Sequence, residues 1–268
     1  MSIRLIAADV DGTLTHTASQ VSERNLRAIR SARENGVFFT IATGRGIAAS
    51  RRLIRLLDID GPVILFGGAM VMDAASEERL LMHTLDPELV RDILEYAHFL
   101  GRHAQIYLED RVCFEKETAF SKCYTSFADL PYTVDPDIRK KRFTGVPKVL
   151  VYAEPDAEDE VRAKLTERFS GMAGVSRSQP GYIEINAPSA TKGNALAWVA
   201  ERMGIGRDEV AAIGDSYLDV DMIAWAGTGV CVANGVPDAI ASADVIAPDC
   251  AEDGVARYIE QILGNGRE

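Results

Sequence analysis

Asp9 and Asp11 flank a single valine where an apolar run, Leu5 to Ala8, breaks off, and Gly12 follows at once. Two carboxylates this close repel each other, and burying either one unpaired is costly. Ligands of open parallel sheets bind beyond the carboxyl ends of strands. A pair of aspartates there can hold a divalent cation, and one of them can also be a nucleophile. The same residues suit a polar turn around Asp11-Gly12. Other places carry equally two-sided signals. Thr43-Gly44-Arg45 closes a second apolar run; it offers a hydroxyl and N–H groups to an anion, or a helix cap with Arg45 in solvent. Lys192 stands at a helix start, against the helix dipole, which points to a partner for its ammonium, although a solvated lysine is the commoner case. Asp215 ends another strand, with Asp219 and Asp221 close behind, as ligands or as caps. Asn234-Gly235 ends one more and could be a turn. As a set, these positions supply what phosphoryl transfer needs: a nucleophile, an acid/base, cation ligands and charge stabilisers.

The elements that must position them follow from the apolar pattern. Ile3 to Val10, Val37–Thr43 and Pro62–Phe66 read as near-continuous apolar strands. Between them run amphipathic helices: one capped by Ser22 and stopped near Asn35-Gly36, one bearing Ile47, Leu53, Ile54 and Leu57. Strands apolar on both faces and alternating with helices predict a parallel sheet covered on both sides. From about His83 the rhythm changes. A helix led by Asp86-Pro87 runs to about Leu100, followed by the alternating strands AQIYL and RVCFE around a turn at Glu109-Asp110. A polar, irregular stretch containing Arg139–Arg142 leads to the strand KVLVYA, a helix from Asp156 to Arg168 and the alternating strand YIEIN. This middle third predicts an α+β unit with a half-exposed sheet. After Pro188 the first rhythm returns, with a helix from about Thr191, the strand VAAIG (Val210–Gly214), and further strands GVCVA and DVIA separated by helices. The fold expected is therefore α/β: a Rossmann-like doubly wound core from 1–84 and 188–268, carrying an inserted α+β domain over 85–187.

A chain of 268 residues with 47% hydrophobic residues can bury a large core, and its net charge of −11 opposes binding to nucleic acid or an anionic membrane. Attraction for an anionic substrate must then be local. The four cysteines (Cys113, Cys123, Cys231, Cys250) show no C-x-x-C pair and no nearby histidine at zinc-ligand spacing, and a reduced cytoplasmic setting fits best. Asp9 comes too soon for a signal-peptide apolar region, and no stretch approaches the ~18 apolar residues of a spanning helix.

Four segments together carry a resemblance. DVDGTLT, ATGR, Lys192 before its helix and GDSYLDVDM resemble the four motifs of the haloacid dehalogenase (HAD) superfamily of phosphatases. GVCVANGVPDAIASADVIA is similar to the ending of its Cof-type branch, and the insert lies at that branch's C2 cap position. The resemblance spans essentially the whole chain. It implies that Asp9 is the nucleophile forming an aspartyl-phosphate and that Asp11 is the general acid and base. It implies that Thr43, the Gly44 N–H and Lys192 bind phosphate oxygens, with Arg45 and Asn234 as further binding residues. It implies Mg²⁺ held by Asp9, the backbone carbonyl of Asp11 and Asp215, with Asp219 behind them. The substrate implied is a small phosphorylated metabolite such as a sugar phosphate or phosphoglycolate. Two departures stand out: Leu218-Asp219 replaces the family's Asn-Asp, and FGGA (Phe66–Ala69) replaces Asn-Gly-Ala. Two rivals are an aspartyl-phosphate receiver module and a catalytically silent phosphometabolite-binding protein. A receiver puts its acidic pair and phospho-accepting aspartate on different strands and needs less than half this length.

Overall fold

The computed structural model describes residues 2–16, 20–108, 111–128 and 130–264, so the expected turn at Glu109-Asp110 lies outside the described residues. The first part of the chain forms β1 (Leu5–Ala8), α1 (Glu23–Glu34), β2 (Phe38–Ile41), α2 (Ile47–Leu56), β3 (Pro62–Leu65), β4 (Met70–Asp73) and β5 (Arg79–Met82). The middle part forms α3 (Pro87–Phe99), β6 (His103–Leu108), β7 (Arg111–Phe114), α4 (Ala119–Ala128), β8 (Tyr132–Val134), β9 (Lys148–Tyr152), α5 (Glu158–Arg168), β10 (Gly174–Gln179) and β11 (Tyr182–Asn186). The last part forms α6 (Lys192–Arg202), β12 (Val210–Gly214), α7 (Val220–Trp225), β13 (Thr228–Val232), α8 (Pro237–Ser242), β14 (Val245–Ala247) and α9 (Gly254–Gly264). Two compact units result: Met1–Gly44, Arg52–Leu81 and Thr191–Glu268 in one, Arg45–Arg51 and Met82–Ala190 in the other.

The first unit is built on a parallel sheet in the order β14-β13-β12-β1-β2. From β1 the chain steps outward to β2 on one side, whereas β12 to β14 fill the other. The carboxyl ends of β1 and β12 therefore flank the point where strand order reverses, the usual ligand crevice of such sheets. Residues Leu5 to Ala8 are fully buried, as are Val210 to Ile213, so both central strands read as unbroken apolar runs. Ser22 caps α1 as expected, its hydroxyl accepting from the Asn25 N–H.

The third apolar run behaves differently from its expectation. Beside β2, β3 forms one isolated parallel bridge, Ile64 with Ala42 just past the end of β2, and its Pro62 carbonyl accepts from the Thr40 hydroxyl at 2.6 Å; along its length β3 pairs with β4 in an antiparallel β3-β4-β5 sheet. The tight reversal at Phe66-Gly67-Gly68, all three at positive φ, turns the chain back before a crossover helix could form. Neither β4 nor β5 was legible as a strand, because MVMD continues the apolar run of β3 and RLLM is only half-buried.

The second unit has a six-stranded sheet, β10-β11-β9-β6-β7-β8. One face packs Ile106, Val149, Val151, Ile183 and Ile185 against α3 and α5. On the opposite face, Tyr152 and Tyr182 meet Phe120 of α4, whose ring stacks on Tyr152 at 4.1 Å between centroids. The polar stretch expected to be irregular thus contains α4 and β8. Phe120 and Tyr124 lie one turn apart and stack, so α4 is held by aromatic packing that its polar sequence hides. In the basic cluster, Arg139 pairs with Glu115 (2.8 Å), Lys140 with Asp137 (2.8 Å), Lys141 with Asp135 (2.7 Å) and Arg142 with Glu88.

Candidate active site

β1 delivers Asp9 one residue past its end, where the Asp9 N–H donates to the Ile213 carbonyl of β12 at 2.8 Å. The chain then folds tightly over itself. The Val10 carbonyl accepts from the Leu14 and Thr15 N–H groups at 3.0 and 2.9 Å, and Gly12 takes φ +87°. Glycine at 12 is required twice over: a Cβ there would be strained at that φ and would lie 2.5 Å from Asp215 Oδ2. The turn so formed sends the Thr13 hydroxyl to Asp215 Oδ1 at 2.5 Å, joining the end of β1 to the end of β12.

Asp219 is the hub of the other side. Its Oδ2 accepts from the Asp215 N–H (3.1 Å), the Ser216 N–H (2.8 Å) and the Ser216 hydroxyl (2.7 Å), while Oδ1 accepts from Lys192 Nζ at 2.5 Å. Lys192 also donates to Asp9 Oδ1 at 2.6 Å, and all three side chains are buried. Its position at the start of α6 is unfavourable to the helix dipole, and Asp221 offsets this by accepting the Gly193 N–H at 2.9 Å. The helix start is set by a close approach. A Cβ on Gly68 would fall 2.0 Å from the Thr191 carbonyl oxygen, so only glycine lets the β3–β4 reversal lie against Thr191 and Lys192.

Asp9, Asp215 and Asp219 each offer an oxygen, and these atoms lie within 4.8 Å of one another. Burial raises the Asp9 carboxyl well above its usual range; Lys192 opposes that, and the charges of Asp219, Asp215 and Asp11 add to it. Burial followed by the Asp219 charge pushes Asp215 up to about 6. Burial alone would lower Lys192, but Asp219 and Asp9 more than offset it, so the ammonium is held more strongly than an ordinary lysine's. One buried cation among several carboxylates leaves an excess of negative charge. All-oxygen donors with that excess fit a hard divalent cation. Asp219 has donors on both of its oxygens, so its chemistry suits orienting the site better than direct ligation.

Thr43 is buried; its N–H donates to the Ile64 carbonyl and its own carbonyl accepts from the Gly67 N–H, both at 2.9 Å. Gly44 and Arg45 follow, and Arg45 opens the short segment that groups with the second unit. Asn234 spends its amide on backbone: Nδ2 donates to the Gly12 carbonyl at 2.7 Å and Oδ1 accepts from the Cys250 N–H at 2.9 Å. In the sequence Thr13 carries no signal of its own, Ser216 reads only as an alternative helix cap to Asp215, and Gly68 only as part of FGGA. Thr13 lies inside DGTLT, and Ser216 follows Asp215, so their signal was proximity to motif carboxylates.

The sequence model of the haloacid dehalogenase-like hydrolases matches residues 6–259. The chain belongs to that family. Among this hydrolase's relatives, the 5-amino-6-(5-phospho-D-ribitylamino)uracil phosphatase YcsE of Bacillus subtilis (strain 168) is 30% identical over 261 residues, covering 97% of this chain and 95% of that protein. The HMP-PP phosphatase of Cronobacter sakazakii is 24% identical over 97% of this chain and 96% of its own length. A haloacid dehalogenase-like hydrolase of Bacteroides thetaiotaomicron superposes with a TM-score of 0.87 at 28% identity, covering 97% of this chain and 100% of that one. The protein is a HAD phosphatase of the Cof type. Among the described residues, no helix is long and apolar enough to cross a membrane. One family departure has a structural account: position 67 sits at φ +66°, a region that asparagine and glycine both tolerate.

Proposed function

We infer that this phosphatase hydrolyses a phosphate monoester through an aspartyl-phosphate on Asp9, with Mg²⁺ as its cofactor. The observation that carries the reading is the convergence of Lys192 Nζ on Asp9 and Asp219 beside Asp215. Asp9, Asp215 and the backbone carbonyl of Asp11 would hold Mg²⁺, which supplies the charge neutralisation that lets a carboxylate approach a phosphate. In the first step an Asp9 oxygen attacks phosphorus, the ester P–O bond breaks, and the Asp11 carboxyl gives its proton to the leaving alkoxide. In the second, the Asp11 carboxylate takes a proton from the attacking water, phosphate departs and the Asp9 carboxylate is restored. Lys192, the Thr43 hydroxyl, the Gly44 N–H and Arg45 hold the phosphate oxygens and stabilise charge as it develops. Asn234, with both ends of its amide on backbone, acts by fixing the Gly12 loop.

The leaving group is a small polar metabolite, in keeping with the ribityl phosphate named for the Bacillus relative. We assign its recognition to the inserted segment, about 85–187, as a cap. The four cysteines are free thiols, which supports a reducing, cytoplasmic setting. Borohydride trapping during turnover, followed by peptide mapping, tests the mechanism. Reduction should leave homoserine in place of Asp9, and Asp9→Asn should abolish hydrolysis while keeping the fold. A mark at Asp11 or Asp215, or an active Asp9→Asn enzyme, would overturn it. Activity that survives excess EDTA would remove the Mg²⁺ assignment.

A further inference from the structure

A second group of metal-ligating side chains lies apart from Asp9 and Lys192. His16, Asp249 and Cys250 each offer one donor atom, and the three atoms lie within 4.8 Å of one another. His16 Nδ1 stands 3.7 Å from Cys250 Sγ. A tetrahedral ion with bonds of about 2.3 Å to sulfur and about 2.05 Å to nitrogen separates those two atoms by roughly 3.5 Å. The pair is therefore already spaced for a shared ion. No spacing rule could have found it, because the two residues lie 234 positions apart.

Two of the three ligands are held by the backbone around them. Asp249 caps the turn at Cys250–Glu252, its Oδ1 accepting from the Ala251 N–H at 2.8 Å, and this sets the carboxylate beside the following thiol. The Cys250 N–H is fixed on Asn234 Oδ1 at 2.9 Å. His16 follows Thr15, whose hydroxyl and N–H both bind the Val10 carbonyl within the turn that begins at Asp9. Cys250 is buried and His16 is exposed, so the site has a fixed floor and a side open to solvent.

We propose that His16, Asp249 and Cys250 bind a zinc-class divalent cation through one nitrogen, one oxygen and one sulfur, with a fourth position left to water. The donor sets divide the cations between two sites. Thiolate and imidazole favour zinc-class ions and are poor ligands for the hard, hydrated Mg²⁺, whereas Asp9 and Asp215 offer oxygen alone. Binding would clip the segment after the Asp9–Thr15 turn to the segment before α9. Asn234 links that clip to the catalytic turn, since its amide joins the Cys250 N–H to the Gly12 carbonyl.

Cobalt is the probe, because its bond to a thiolate gives an ultraviolet charge-transfer band and its tetrahedral complexes absorb strongly in the visible. The exposed Cys123 is first changed to Ser, and Co²⁺ is titrated into full-length protein under saturating Mg²⁺. One equivalent should produce both bands, and Zn²⁺ should abolish them, since zinc outranks cobalt at such sites. Cys250→Ser should lose the charge-transfer band. His16→Gln, an exposed substitution with little bearing on folding, should weaken binding at least ~10-fold. Absence of the bands in the parent protein, or bands unaffected by His16→Gln, would overturn the proposal. Were Cys250→Ser not to fold, the His16 variant would decide alone.

Discussion

Among the described residues two lysines are buried, Lys148 and Lys192, and their surroundings differ in one respect that matters. In the second unit Lys148 Nζ meets Glu184 Oε1 at 3.0 Å and lies 4.7 Å from the centre of the Tyr107 ring. In the first unit Lys192 Nζ meets Asp9 at 2.6 Å and Asp219 at 2.5 Å, with Asp215 alongside. At Lys148 the ammonium faces the single carboxylate of Glu184 at this contact. The Lys192 cluster leaves carboxylates uncompensated, and that imbalance is what a divalent cation and an anionic phosphate together can use. A buried ion pair alone is thus weak evidence of catalysis; the charge left over carries the information.

The comparison is broken most forcefully by removing each ammonium. Lys148→Met strands Glu184 and should cost about 3–5 kcal/mol of unfolding free energy, most of it regained in Lys148→Met/Glu184→Leu. Lys192→Met should cost as much, but no single compensating change restores it, because Asp9, Asp215 and Asp219 all remain. It should also lower kcat by about 100- to 1,000-fold, as loss of a charge-stabilising donor does. Urea unfolding and steady-state kinetics read both variants. Full recovery of stability in Lys192→Met/Asp9→Leu would show the two clusters to be equivalent.

Lys192 has a glycine packed against its own backbone. Gly68→Ala would put a Cβ 2.0 Å from the Thr191 oxygen, at φ +97°, and should cost about 3 kcal/mol while depressing kcat. Gly67→Asn meets nothing within 4 Å and keeps a tolerated φ, so it should change stability by less than about 0.5 kcal/mol. Chemical denaturation of the two neighbours separates a steric requirement from a preference. Equal losses would contradict the close packing of the reversal on α6.

How far each unit was legible follows from what its sequence has to say locally. β1, β12 and α6 declare themselves, since unbroken apolar runs and a Thr191 cap act over a few residues. The places of Asp9, Asp215 and Lys192 were legible for the same reason, at the ends or starts of those elements. α4 was not, because Phe120 and Tyr124 are held by Tyr152 and Tyr182 from distant strands. The β3–β4 reversal hid inside one apolar run, and its purpose emerges only in the approach of Gly68 to Thr191. Asn234 looked like a turn or a phosphate ligand, yet its amide is directed to the backbone at residues 12 and 250.

The charge imbalance also sets a pH dependence with a definite sign. Burial and Asp219 raise Asp215 to about 6 from an ordinary 3.8, so without metal the folded protein takes up a proton that the unfolded chain does not. This group therefore stabilises the metal-free fold as pH falls through about 6 and loses that contribution as pH rises. A divalent cation must displace the same proton, so the Mg²⁺-induced rise in Tm should grow between about pH 5 and about pH 7, then level off. The scale is on the order of 1 kcal/mol per pH unit. Melts with Mg²⁺ and with EDTA across that range provide the measurement. A difference in Tm that stays constant would mean that Asp215 is not part of the cation site.

A smaller loss concerns how the chain tolerates a lysine at the start of α6. A cation at that end opposes the helix dipole, and Asp221 answers it by accepting the Gly193 N–H at 2.9 Å. The contact is itself tight, since a Cβ on Gly193 would lie 2.8 Å from Asp221 Oδ2. Asp221→Asn keeps the shape of the side chain but removes its charge. It should cost about 0.5–1 kcal/mol, the usual worth of a charged group at a helix N-terminus. Its kinetic effect should be a modest drop in kcat with KM little changed, because the Lys192 ammonium stays paired and only the peptide that carries it loosens. Added salt distinguishes this from a generic loss of packing. Screening weakens a dipole–charge contact, so the gap between parent and variant should narrow from low salt to about 1 M. Nothing comparable is expected around Lys148, which lies on a strand with no helix dipole to oppose. A gap that held constant with salt would assign the loss at Asp221 to packing and leave the Lys192 helix start without its electrostatic counterweight.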